Sequence, residues 1–282
     1  MTLLFAALAL VAFAANSILC RLALAEGRID AASFTTLRLL AGVLVLLPLA
    51  LSRRPAAMGR ARLGGTFAAG LMLALYALPF SFAYLSLTAG TGALLLFGAV
   101  QGTMIAAGLF TGERPGLVEW TGSAIALAGL VILVAPGVEA PPPVGALLMV
   151  LAGAAWGIYS LLGRAAADPI AATAGNFLRA APWALAASLA ALGAAHADRR
   201  GAFLAILSGA VTSGLGYVAW YAALPGLGAM RAATAQLAVP AIAALGGVLL
   251  LGEQMTPRVG GAAALVLGGV ALALRGRSAS SR

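Results

Sequence analysis

Apolar residues in this chain gather into ten blocks of roughly 17–25 residues, the length an α-helix needs to cross a hydrocarbon core of about 30 Å. The blocks run 2–24, 31–51, 63–86, 90–111, 117–135, 143–165, 170–193, 203–223, 228–251 and 258–275, separated by Gly, Pro and Arg. In lipid each backbone N–H and C=O has to be satisfied within its own segment, so such blocks fold as helices. Only 9% of the residues are charged and 62% are hydrophobic, too little charge to cover a soluble protein of this size. The fold class expected is therefore an all-α membrane protein with ten transmembrane helices. The connections are too short for a soluble domain. Function is thereby restricted to a transporter, a channel, a membrane enzyme or an embedded scaffold.

The net charge of +9 sits in the connections and the C-terminal tail. It reads as an orientation signal and implies no nucleic-acid partner. If the N-terminus is cytoplasmic, the inside connections and tail hold Arg53, Arg54, Arg60, Arg62, Arg114, Arg164, Arg231, Arg275, Arg277 and Arg282. The outside connections hold Arg21, Arg28, Arg199, Arg200 and Arg258. Ten against five places both termini inside, in a bacterial inner membrane, although Arg199 and Arg200 run against the rule. The first block lacks the basic leader of a signal peptide and is expected to remain as a span. One cysteine, Cys20, excludes an internal disulfide, and the one histidine, His196, lies in a loop. No metal or cofactor is implied. A membrane hydrolase or transferase needs a cluster of His, acid or Cys, and none is visible, so no enzymatic activity is expected.

The chain also repeats itself with a period near 140. Gly112-Glu113 after the fourth block matches Gly252-Glu253 after the ninth, with Gly129 and Gly269 equally far beyond. Phe13-Ala14 and Arg21 in the first block echo Trp156-Gly157 and Arg164 in the sixth. Leu37-Arg38 echoes Leu178-Arg179, and Tyr84 and Tyr221 close the third block of each half. Five helices per half is an odd number, so the halves insert with opposite orientation, an inverted repeat of the kind many secondary transporters build around a midplane site. The expected units are 1–138 and 143–276, with a basic tail at 277–282.

These residues carry a family resemblance. Trp156-Gly157 with Arg164, Arg179, Pro240 ahead of Gly252-Glu253, and the glycine-rich last block are similar to the drug/metabolite transporter superfamily, specifically its ten-helix proteins with two EamA-type repeats. The first half departs from the pattern, with Phe13-Ala14 for Trp-Gly and Val100 where the repeat proline would stand. The resemblance implies export of a small-molecule substrate. The two-repeat bacterial form is most similar to amino-acid and metabolite exporters, including aromatic amino-acid exporters of the YddG type. Other metabolites or drugs, or lipid handling within the membrane, are the alternatives.

All eight acids lie in loops or within about one turn of a block end. A buried carboxylate for proton coupling or for binding lipophilic cations is thus disfavoured. Aromatic side chains are the best substrate-binding candidates: Tyr76, Phe80 and Tyr84 on one face of the third block, Tyr217, Trp220 and Tyr221 in the eighth, and Trp156 and Tyr159 with Ser160 in the sixth. Asn16, Gln101, Thr103, Thr234 and Gln236 are polar at depth and should face inward. Arg38 and Arg179, about eight and ten residues into their blocks, are read chiefly as structural groups bonded to helix-end carbonyls or a facing loop, with attraction of a substrate carboxylate as the functional reading. Glu113 and Glu253 are helix-end residues in need of an arginine or a helix N-terminus, with a gate contact as the functional alternative. Pro79, Pro182 and Pro240 are candidate kinks. Gly98, Gly102 and Ala106 form a small-residue face expected to pack within a monomer.

Overall fold

The computed structural model describes residues 1–52, 63–110, 116–135, 140–163, 166–236 and 238–280. The elements among the described residues are helices. The first half comprises α1 (Thr2–Ala25), α2 (Ala31–Ser52), α3 (Phe67–Ala83), α4 (Ala89–Phe110) and α5 (Leu117–Val134). The second comprises α6 (Pro143–Gly163), α7 (Pro169–Ala190), α8 (Arg199–Leu207), a π-helical segment Ser208–Leu215, α9 (Gly216–Gln236), α10 (Ala238–Leu251) and α11 (Pro257–Ser280). Among the described residues, five stretches are long and apolar enough to cross a membrane: Thr2–Ala25, Ala31–Ser52, Ala89–Ala107, Pro143–Gly163 and Arg199–Leu224. Leu3, Leu4, Leu8 and Val11 on α1, with Leu44, Phe67 and Leu147 elsewhere, point outward, where lipid replaces water as their solvent.

Helix starts follow ordinary capping chemistry. Thr66 accepts the Ala69 N–H at α3, and Asp168 accepts the Ile170 and Ala171 N–H groups at α7, where Pro169 fills the first position. Asp198 accepts the Gly201 N–H at α8, and Asp30 the Ser33 N–H at α2.

Helix pairing has a pseudo-twofold pattern. Three pairs join equivalents: α2 with α7, α4 with α10, and α5 with α11. The others come in matched sets. Packing of α3 on α6 corresponds to α1 on the π segment and α9, α4 on α6 to α1 on α10, and α3 on α7 to α2 on α8. Each repeat thus completes its core with helices of the other. Close approach depends on glycine at Gly209, where any Cβ would overlap the Arg38 carbonyl, and at Gly153, where it would overlap the Leu96 carbonyl.

The helix boundaries shift by a few residues at several ends, the last helix running to Ser280 past the expected 275, and differ most in one region. The eighth block was expected to end at 223 and the ninth to begin at 228. Instead α9 continues through Pro225 to Gln236, and the next helix starts at Ala238. Pro240 therefore occupies the third position of α10, in a first turn where its missing N–H costs little. Pro79 and Pro182 lie inside α3 and α7, which continue past them. The expected small-residue face of α4 is used in part: Gly98 meets Leu130 of α5, while Gly102 is exposed with open space beside it.

The molecule has two faces. The terminal face carries Met1 and the starts of α3 and α7. The far face carries the connections around residues 26–30, 84–89, 194–200 and 252–257.

Candidate functional site

The core between the halves contains an aromatic cluster with Trp156 at its hub. Its indole meets Phe13 (5.5 Å between centroids), Tyr76 (5.0 Å), Tyr159 (5.3 Å) and Tyr217 (4.7 Å). Phe13 also meets Trp220, and Tyr76 leads through Phe80 to Tyr84 at the far-face end of α3. On the other side Tyr159 stacks on Tyr221. These contacts come from α1, α3, α6 and α9, so both repeats build the cluster.

A polar cluster adjoins it. Asn16 donates from Nδ2 to the Tyr76 hydroxyl (3.3 Å), and its Oδ1 accepts from Ser208 (2.6 Å), Thr212 (3.4 Å) and Ser213 (3.4 Å). The π segment makes this possible: its wider turn brings Ser208, Thr212 and Ser213 to bear on one amide oxygen. Arg38 is 1% exposed. It donates from Nε to Ser213 Oγ (2.9 Å) and from Nη2 to the hydroxyls of Tyr76 (3.2 Å) and Tyr217 (2.9 Å). Its guanidinium carbon lies 5.3 Å from the Tyr76 ring centre and 5.1 Å from that of Phe80, within cation–π range. Its Nη1 has no hydrogen-bond partner among the described residues.

Arg179, at the matching position in the second half, meets a different environment. It is half-buried and donates from Nη1 to the carbonyls of Gly64 (3.0 Å) and Gly175 (2.8 Å). That is the helix-and-loop bonding expected of both arginines. Arg38 departs from it because its neighbours offer phenol, serine and ring faces where Arg179 finds backbone oxygen.

Two spaces among the described residues adjoin the cluster. A cavity of about 10 Å³ among Phe13, Ser17, Tyr76, Phe80, Leu96, Phe97, Trp156 and Tyr217 is just large enough for one water. A vestibule of about 440 Å³ opens at the terminal face between the starts of α3 and α7 and the end of α6. Asn176 and Tyr221 line it, and Asn176 donates to the Tyr159 hydroxyl (3.5 Å), so the vestibule abuts the aromatic cluster.

Polar contacts join the halves at the far face. Arg21 reaches Glu253 (3.3 Å) and the Tyr84 carbonyl (2.9 Å). Both Glu253 oxygens accept the Ala89 N–H at the start of α4 (3.0 and 2.9 Å). Glu253 thus has both kinds of partner that its helix-end position requires. Gly252, at φ +65°, turns the chain into place. Nearby, Arg28 pairs with Glu26 and Asp198, and Ile29 bridges Ala197 through the backbone. Glu26 raises the Arg28 pKa. The Gly201 N–H holds Asp198 below the usual carboxylate range. Burial pushes the Asp30 carboxyl up, but the Ser33 and His196 N–H groups outweigh it and hold it low.

Of the sequence candidates, Asn16, Tyr76, Phe80, Trp156, Tyr159, Tyr217 and Trp220 come together, with Tyr84 at the edge. Gln101 and Gln236 are buried on α4 and α9, and Gln236 Oε1 has no partner among the described residues. Thr103 bonds the Ala99 carbonyl of its own helix. Tyr221 lies inside α9 instead of closing a helix. Glu113 and the Thr234 side chain fall outside the described residues. Sequence reasoning missed Phe13 as a ring partner, and missed Ser17, Asn176, Ser208, Thr212 and Ser213 altogether. Ser208 and Thr212, four apart on an otherwise apolar helix, were the available signal.

Comparison with known proteins places this geometry. The EamA-like transporter family matches residues 1–135 and 143–275. The uncharacterized protein PA1977 of Pseudomonas aeruginosa is 54% identical over 277 residues, covering 98% of this chain and 95% of that one. A solved crystal structure superposes with TM-score 0.66 over 95% of this chain and 98% of the other at 20% identity, a likeness of fold. With a family match in each half, this chain belongs to the EamA-like transporter family, a family of multi-pass membrane transporters and not of enzymes.

Proposed function

We propose that the protein exports small, net-neutral solutes, aromatic and other neutral amino acids first, by alternating access around the Trp156 cluster. The observation that carries this reading is the joining of an aromatic wall to the Asn16–Arg38 polar cluster where the two halves meet. Aromatic faces supply contact area with few rotors to order, and the polar groups fix orientation. The vestibule on one face and the Arg21–Glu253 contact on the other support a state open toward the terminal face, which the arginine distribution assigns to the cytoplasm. The solute would pass Tyr221 and Tyr159, displace the small central cavity, and leave when the far-face contacts part. The working unit is a monomer of two repeats, bounded near 1–138 and 143–276.

Proteoliposomes loaded with unlabelled phenylalanine test the reading by counterflow. Saturable uptake of labelled phenylalanine or tryptophan is the expected result. No uptake of any neutral amino acid, alongside counterflow of other metabolites or quaternary cations, would overturn it.

A further inference from the structure

We infer that Arg38 is the docking point for a carboxylate on the transported solute, and that the site requires that carboxylate without requiring an ammonium group. The inference rests on the transport reading above and moves its substrate class from net-neutral solutes to organic carboxylates with an apolar body, neutral amino acids among them. An arginine buried to 1% inside a membrane protein ordinarily pairs with an acid, because an unpaired charge at depth is costly. Arg38 has no ion pair among the described residues, and the groups it bonds, Ser213, Tyr76 and Tyr217, offer neutral hydroxyls. Nη1 of the planar fork has no partner among the described residues.

The surrounding core has a surplus of donors. Trp156 Nε1 and Trp220 Nε1 are also buried without partners among the described residues, in the cluster that Tyr76, Tyr217 and Phe13 connect to Arg38. A carboxylate offers about four acceptor sites and one negative charge, which complements the guanidinium N–H that has no partner among the described residues, with the indole N–H groups of the adjoining ring cluster as further donors. The small cavity bordered by Tyr76 and Phe80, the two rings that Arg38 overlies, marks where a solute would enter, with aromatic walls for its apolar part. Among the described residues no carboxylate at depth awaits an ammonium, and the buried oxygens without partners there are the neutral Ser160 Oγ and Gln236 Oε1. The described acids lie in connections and at helix ends: Asp30, Asp168 and Asp198 receive helix-start N–H groups, Glu26 pairs with arginine, and Glu253 does both.

Four phenyl compounds separate the charges: L-phenylalanine, 3-phenylpropionate, phenylalaninamide and phenethylamine. Each is tested for stabilisation of the purified protein against heat and for inhibition of phenylalanine counterflow. The two carboxylates should stabilise and inhibit, and the amide and amine should not. In Arg38→Gln the apparent affinity for 3-phenylpropionate should fall about 30-fold or more, as when one partner of a buried charge pair is truncated, with partial recovery in Arg38→Lys. Equal effects of phenethylamine and 3-phenylpropionate on the wild-type protein would overturn the inference, and that comparison stands even if the variants fail to fold. Saturation by chloride, with no competition from carboxylates, would also overturn it by making Arg38 the seat of an inorganic counter-ion. If aliphatic carboxylates bind and no aromatic compound does, the aromatic amino-acid reading falls while the assignment of Arg38 stands.

Discussion

Arg21 and Glu253, 232 residues apart in sequence, meet at 3.3 Å across the seam between the two repeats. Their side chains are mostly shielded, at 19% and 12% exposure, and the same carboxylate holds the first N–H of α4. One side chain thus ties α10 to α1 and α4 at the mouth of the far face.

Removing that carboxylate should loosen the far face. Glu253→Ala is expected to cost about 1–2 kcal/mol of closed state, from a lost helix cap and a partly buried ion pair. Thiol labelling of a cysteine placed at Ser86 should speed up accordingly, against a silent background because native Cys20 is fully buried. Unchanged labelling would show that other contacts hold the face shut.

Arg179 and Arg38 should separate cleanly on mutation. Arg179→Gln loses charge-assisted bonds to two carbonyls and should lower stability by roughly 1.5–3 kcal/mol with KM unchanged. Arg38→Gln should raise KM for the solute. Measuring Tm and KM for both variants checks the distinction, and matching effects on KM would refute it.

The far-face connections should respond to acid. Asp30 and Asp198 are held below their ordinary carboxylate values, so their contribution is complete above the unfolded pKa near 4 and fades as pH falls through the lowered folded value. Hydrogen exchange at the Gly201 and His196 amides should therefore stay constant from neutral pH to about 5, after correction for intrinsic rates, and lose protection below about 4. Loss of protection between pH 6 and 7 would assign the clasp to a different group.

Transport should not depend on a proton gradient. Among the described residues the acids lie in connections or at helix ends, which leaves no buried carboxylate to carry the proton. Phenylalanine flux in vesicles is expected to persist when a protonophore collapses ΔpH at a fixed solute gradient. Abolition of flux would contradict this.

The ten-block pattern and the duplicated motifs made the architecture legible, because lipid forces every apolar block of sufficient length into a helix. The site was legible only where one residue type implies one setting. Aromatic and amide side chains at depth pointed inward, and Tyr76, Trp156 and Tyr217 meet there. The contrast between Arg38 and Arg179 was hidden: each follows leucine at a matching position, and what differs is the opposing surface, phenols and Ser213 against the Gly64 carbonyl. The π segment was equally silent, since a local widening of the helix depends on packing against α1 and α2. Phe13 stood in the sequence only as a departure from a motif, yet its ring meets Trp156, Tyr217 and Trp220.

Counterflow of labelled phenylalanine into proteoliposomes carrying the wild-type protein, Trp156→Ala or Phe67→Ala tests the central claim most directly. Trp156 contacts four other rings in the core, whereas Phe67 is 64% exposed on the lipid side. At equal insertion, Trp156→Ala should lose most of the flux, with larger losses for bulky apolar amino acids than for small ones, and Phe67→Ala should match the wild type. Equal rates in all three would place the solute path outside the aromatic core.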